Sequence, residues 1–242
     1  MKSGTRQTID LSPVGGTVLS WRFENRDIFF PQQTLTIDGA KKLRGGMHSC
    51  FPNYGREQPD YHLPSHGPLR YLEGNLEQDG RRVVFGGRKI LAENIYCDVS
   101  VSVEEPDDKS MLYTLSALLS PAASKPFPTN AGFHPYFGTP DGTATVLADG
   151  NKYVVDDLIT EAKVLPLKCT IYVVIPGMGT VRISPGKTFL ECKTARMVLW
   201  RDSKDYLCVE PVLGVSADFS GGFCPKLIPG ERFDLSCKFE LV

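Results

Sequence analysis

Apolar and polar residues alternate with a period of two along most of the chain, most clearly at its end. Phe233, Leu235, Cys237, Phe239 and Leu241 take turns with Asp234, Ser236, Lys238 and Glu240. One side of such an extended segment is apolar and the other polar, which predicts a half-buried strand. Similar alternation or β-branched runs occur at residues 17–21, 82–85, 99–103, 111–119, 180–183 and 198–200. Between them stand Asp-Gly steps at Asp38-Gly39, Asp79-Gly80, Asp141-Gly142 and Asp149-Gly150, the dipeptide that best tolerates the positive φ of tight hairpins. Eighteen prolines and 23 glycines, spread rather than clustered, leave little room for long helices. No repeat, low-complexity tract or composition shift marks a linker. The pattern predicts an all-β protein, a large antiparallel β-sandwich forming one domain over residues 1–242, with 41–74 and 120–143 as the irregular, site-building parts.

Charge narrows the choice of partner. Lysine plus arginine number 27 against 28 acids, so neither a nucleic-acid-binding surplus nor an acidic tail is present. The expected partner is a small molecule, uncharged or singly charged. Residues 1–10 have no apolar run behind their basic residues, and no later window reaches the length of a membrane span, which predicts a soluble, unexported, cytoplasmic protein. Seven cysteines, an odd number, are scattered from Cys50 to Cys237 without a C-x-x-C pair. That spacing argues against a disulfide framework or a zinc site and for small buried apolar residues in a reducing compartment.

Two stretches could carry chemistry: Phe133-His134-Pro135-Tyr136-Phe137 and Cys208-Val209-Glu210-Pro211. A residue before proline is pushed toward extended backbone, so His134 and Glu210 should each sit on or at the end of a strand. Alternation places Glu210 on the side of Cys208 and Tyr206. Neither side of that strand is strongly polar, and a partly desolvated carboxylate there has a raised pKa suited to a general base near neutrality. Each residue alone also has a plainer reading: a rim glutamate paired with an arginine, and a core histidine satisfied by a carbonyl.

A third cluster runs from Leu43-Arg44-Gly45-Gly46 through Tyr54-Gly55 to His62 and His66-Gly67-Pro68-Leu69-Arg70. His62 and His66 have the spacing of a helical ligand pair, but Pro64 lies between them, so no metal site is expected. Arg44 and Arg70 would clamp an anion or hydroxyl groups, with a surface turn as the alternative. There is no G-x-S-x-G elbow, phosphate-binding G-x-x-x-x-G-K-[ST] loop or G-x-G-x-x-G fingerprint, which sets aside serine-hydrolase and nucleotide chemistry.

The order Arg-Gly-Gly, His-Gly-x-x-Arg, His-Pro-Tyr-Phe, Glu-Pro resembles the aldose 1-epimerase (mutarotase) family, within it the branch that includes hexose-6-phosphate epimerases. The resemblance runs from about Arg44 to the C-terminus. It implies a galactose mutarotase-like β-supersandwich and interconversion of the α and β anomers of an aldohexose or its 6-phosphate, without metal or organic cofactor. His134 would protonate the ring oxygen, Glu210 would deprotonate the anomeric hydroxyl, and His66 would help hold or polarise the ring-oxygen region. Arg44 and Arg70 would grip the substrate, including a phosphate. The chain departs from the family in having His48 where relatives usually have proline and Pro-Leu between Gly67 and Arg70. For the family's substrate-binding aspartate it offers only Asp156 and Asp157, in poorly matching surroundings. Two other readings are a non-catalytic carbohydrate-binding or regulatory protein on the same scaffold, and a polysaccharide lyase or hydrolase. A pure binder needs no matched acid and base, and a polysaccharide groove would want more aromatic lining than two tryptophans, Trp21 and Trp200, suggest.

Overall fold

The computed structural model describes residues 7–86 and 96–242 and shows two antiparallel sheets packed face to face. The first runs Gln7–Leu11, Val18–Phe23, Met47–Cys50, Gly132–Gly138, Tyr206–Val212, Arg196–Arg201, Ile159–Pro166, with Arg26–Asp27 beside the second of these. The second runs Asn151–Val155, Ala144–Ala148, Ile171–Ile175, Gly179–Pro185, Arg232–Leu241, Ser110–Leu119, Cys97–Glu104, Arg82–Phe85, Asn75–Leu76. The all-β sandwich expected from the alternation is what forms. Helices are confined to Lys187–Glu191, Ser216–Ser220 and two single 3-10 turns among the described residues, none of them long and apolar enough to cross a membrane.

The period-two pattern maps directly onto the interior. Leu235, Cys237, Phe239 and Leu241 of the last strand are buried, as are Met111, Tyr113, Leu115 and Ala117 of the strand paired with it. From the first sheet, Phe133 meets Tyr113 edge-on at 5.0 Å between ring centroids, and Phe137 packs with Phe29 at 5.4 Å. Tyr113 also ties the two sheets by polar contacts. Its hydroxyl donates to the Gly16 carbonyl at 2.9 Å and accepts from Ser49 Oγ at 3.0 Å. Tyr113→Phe would strand both partners in the core, so a loss of about 1–2 kcal/mol is expected as a lower urea midpoint.

Two of the Asp-Gly steps are hairpin turns with positive φ at both residues. Asp38-Gly39 joins Gln33–Ile37 to Ala40–Arg44, and Asp149-Gly150 joins Ala144–Ala148 to Asn151–Val155. The stretches 41–74 and 120–143 are less irregular than expected, because each contains a central strand of the first sheet, Met47–Cys50 and Gly132–Gly138. Glycine and proline masked these strands in the sequence. Gly46, at φ 68°, turns the chain into Met47–Cys50 where a Cβ would lie 2.3 Å from the Val18 carbonyl oxygen. The two glycines after Arg44 therefore serve close approach of backbone to backbone rather than to a ligand.

Candidate active site

The strands Gly132–Gly138 and Tyr206–Val212 are neighbours, and their register decides the site. Gly132 pairs with Val212 and Tyr136 with Cys208, which sets His134 directly opposite Glu210 between those pairs. Pro135 and Pro211 have no N–H to donate, and the ladder is interrupted over this stretch. On the far side of His134 stands His48, and on the far side of Glu210 stands Val198. One row across the sheet thus reads His48, His134, Glu210, Val198. All four point away from Phe133, Val209 and the sandwich core, since successive residues face opposite ways.

Glu210 Oε2 lies 3.4 Å from His134 Nε2, and both side chains are almost wholly buried. Burial pushes the Glu210 carboxyl up to about 8, against a smaller opposing effect of the Tyr54 hydroxyl. Burial, with the nearby His66, Arg70 and Arg44, holds His134 well below the usual imidazole range. The pair therefore rests as neutral carboxyl and neutral imidazole, with one proton between them and, at 3.4 Å, no hydrogen bond formed. The His134 ring is sandwiched between His48 and Tyr136, each 4.8 Å away and within 20° of parallel. His48 is itself buried, its Nε2 is without a hydrogen-bond partner, and burial together with Arg70 keeps it neutral.

His134 and Glu210 open onto a cavity of about 710 Å³ whose lining also includes Tyr54, His66, Tyr136 and Trp200. Arg44, Arg56 and Arg70 bring cations to its walls, and Glu210 is its one acidic lining residue among the described residues. Arg44 is already engaged. It holds Asp202 through two bonds, Nε to Oδ1 at 3.2 Å and a second guanidinium nitrogen to Oδ2 at 2.7 Å, and it lies over the Trp200 ring at 5.2 Å. The Tyr206 hydroxyl bonds the same carboxylate. Burial pushes the Asp202 carboxyl up, but the bonds from Arg44 and Tyr206 outweigh it and leave it below its ordinary value. Arg70 and Arg56 form no ion pair among the described residues, so their charge is available to a ligand.

All five residues singled out in the sequence, Arg44, His66, Arg70, His134 and Glu210, line this one cavity. Asp156 and Asp157 do not. Both are exposed, and the cavity wall in that region is Thr160, Ala162 and Val164 of the edge strand. His62 ends a 3-10 turn in a left-handed conformation, so it and His66 share no helix face. Donor atoms of His134, Glu210 and Cys208, the last from the adjacent row, do lie within 4.8 Å of one another. Burial holds the Cys208 thiol and the Glu210 carboxyl in their protonated forms near neutrality, which suits them to proton chemistry better than to ligating a cation. Sequence reasoning missed His48, Tyr54, Arg56, Trp200 and Asp202 as site residues. Only His48 carried a signal, its position in place of a proline.

No protein-family model matches the chain. Among solved structures, a galactose mutarotase related enzyme from Lactobacillus acidophilus superimposes with a TM-score of 0.74 at 14% identity, covering 99% of this chain and 96% of that one. The fold is galactose mutarotase-like. A protein from Synechocystis sp. PCC 6803 gives 0.72 at 19% identity over 98% of this chain and 92% of that one. A galactose 1-epimerase from Lactobacillus acidophilus NCFM gives 0.55 at 9% identity over 100% and 92%. The likeness is one of fold. In this galactose mutarotase-like sandwich the cavity sits on the outward face of the first sheet, over Gly132–Gly138, Tyr206–Val212, Arg196–Arg201 and the edge strand Ile159–Pro166.

Proposed function

We propose that the protein is a sugar 1-epimerase, interconverting the α and β anomers of an aldohexose, with the 6-phosphate as the preferred form. The observation that carries this reading is the His134–Glu210 pair, 3.4 Å apart on opposed strands at the floor of one cavity. Transfer of the pair's single proton to His134 sets up an imidazolium acid and a carboxylate base. Glu210 takes the proton of the anomeric hydroxyl, the bond from C1 to the ring oxygen breaks, and His134 protonates that oxygen. Rotation about C1–C2 turns the aldehyde, and the reverse transfers close the ring on its other face. Both groups regain their starting protonation, so no co-reactant is consumed. Tyr136 and Trp200 offer aromatic faces to the apolar side of a pyranose. Arg70, with Arg56 in the same cavity lining, is a charge suited to a phosphate, whereas Arg44, neutralised by Asp202, serves as a fixed donor to hydroxyl groups. A cytoplasmic setting fits seven cysteines that are all free.

Releasing Arg44 tests its part. Asp202→Ala is expected to raise KM about tenfold with little change in kcat, as for a residue that orients a binding group; an unchanged KM removes Arg44 from substrate binding. The reading as a whole is tested by exchange NMR or polarimetry on freshly dissolved α-glucose, α-galactose and glucose 6-phosphate. Acceleration by the parent protein supports it and orders the sugars. No acceleration of any of the three would overturn it.

A further inference from the structure

We infer that the Cys50 thiol is a positioning residue: it locks His66 in the tautomer with its proton on Nε2, making His66 a neutral hydrogen-bond donor facing the cavity. The consequence for catalysis rests on the epimerase reading; the tautomer itself does not.

Two groups converge on the same ring nitrogen. Cys50 Sγ lies 3.2 Å from His66 Nδ1, and the Gly55 amide donates to Nδ1 at 3.4 Å. A backbone N–H can only donate, so Nδ1 must present its lone pair. The thiol is wholly buried, and that burial, reinforced by the Glu210 carboxyl, raises its pKa well above the ordinary thiol value. It therefore stays S–H and donates as well. Burial with Arg70 and Arg44 brings His66 down to about 4, so at neutral pH the ring holds one proton. With Nδ1 acting as acceptor, that proton is on Nε2. The edge of the ring bearing Nδ1 is turned to the end of the Met47–Cys50 strand, which leaves the Nε2 edge to the cavity that His66 lines.

The backbone fixes the same arrangement. His66 sits at φ 60° with its amide donating to the Gly55 carbonyl at 3.0 Å, and the next residue packs so closely that a Cβ on Gly67 would stand 2.1 Å from the Phe51 carbonyl oxygen. The ring has little freedom to turn away from Cys50. It stands edge-on to His134, 5.3 Å between centroids. A neutral donor there can hold a sugar oxygen beside the acid, whereas a second imidazolium would repel the proton that His134 must carry.

The test is nitrogen-15 NMR of the histidine side chains in the parent, Cys50→Ala and Cys50→Ser, with the His66 signals assigned by their loss in His66→Gln. In the parent, His66 Nδ1 is expected at the shift of a lone-pair nitrogen and Nε2 at that of a protonated one. Cys50→Ser, which keeps a donor, should preserve this pattern, and Cys50→Ala, left with only the long 3.4 Å contact from the Gly55 amide, should show a mixture of tautomers. Alongside, kcat/KM on the best of the three sugars should fall about tenfold in Cys50→Ala and recover to within about threefold of the parent in Cys50→Ser. A parent His66 protonated on Nδ1, or an unchanged tautomer in Cys50→Ala, overturns the inference. If the shifts behave as expected while the parent turns over no sugar, the lock stands and the epimerase reading falls.

Discussion

Glu210→Gln is expected to lower kcat by about a hundred- to ten-thousandfold while leaving the protein folded, because the amide keeps the shape but cannot take a proton. The pair's shared proton also sets the pH profile. With its carboxyl at about 8 and His134 well below the imidazole range, the pair holds one proton through neutrality and loses it above about 8. The kcat/KM of the parent should therefore be level on the neutral side and fall about tenfold per pH unit on the alkaline side. Activity that rises through pH 8 would exclude a shared-proton pair.

The same variant has a signature in stability. A carboxyl raised from 4.5 to about 8 in the folded state binds its proton more tightly there than in the unfolded chain. Its favourable contribution is complete below about pH 4.5 and is lost as pH rises to about 8, where the buried group must ionise or the chain must unfold. Glutamine lacks that liability. Glu210→Gln should thus be more stable than the parent on the alkaline side and should lack the parent's decline between those two values, as urea midpoints across the range would show. A variant that loses activity without gaining alkaline stability would mean that Glu210 is better solvated than its burial indicates.

The second large effect belongs to Arg70. Its guanidinium lies over the Tyr71 ring at 5.2 Å, lines the cavity and has no carboxylate partner among the described residues. Against a phosphate it would make a charge-assisted contact in a partly desolvated place, worth about 2–3 kcal/mol, or roughly 30- to 150-fold. Arg70→Ala should weaken glucose 6-phosphate by that amount in kcat/KM and barely alter glucose. Equal losses on both sugars would assign Arg70 to the ring rather than to the phosphate. Arg56→Ala, which removes another cation of the cavity lining, should show the same preference with a smaller effect, because Arg56 is exposed.

Much of this was legible in the chain. Alternation at 111–119 and 233–241 named the two strands that lie side by side at the middle of the second sheet, and the residue before each proline named the central pair of the site. The limits were those of register. Nothing local says that Gly132 meets Val212, so nothing local says that His134 meets Glu210 rather than merely sharing a sheet with it. Asp202 lies just beyond the strand Arg196–Arg201 and reaches Arg44 across 158 residues of sequence, a contact no short-range pattern encodes. Trp200 was read as part of a strand, but its face could be assigned only once Cys208 stood opposite it. The aspartate sought at 156–157 is a miss of another kind: the edge strand Ile159–Pro166 brings threonine, alanine and valine to the cavity instead.

The pairing of His134 with Glu210 ties the site to the core in a way that bears on how such a protein can change over time. On both strands the cavity-facing residue has a neighbour that fills the interior, Phe133 beside His134 and Val209 beside Glu210. A one-residue insertion or deletion in either strand would send a carboxylate or an imidazole into the apolar layer and turn a phenylalanine or valine outward. Drift in these two segments is thereby restricted to substitutions. Length changes must fall in the hairpins, such as the one at Asp149-Gly150, where the chain can lengthen without shifting the register that sets His134 against Glu210.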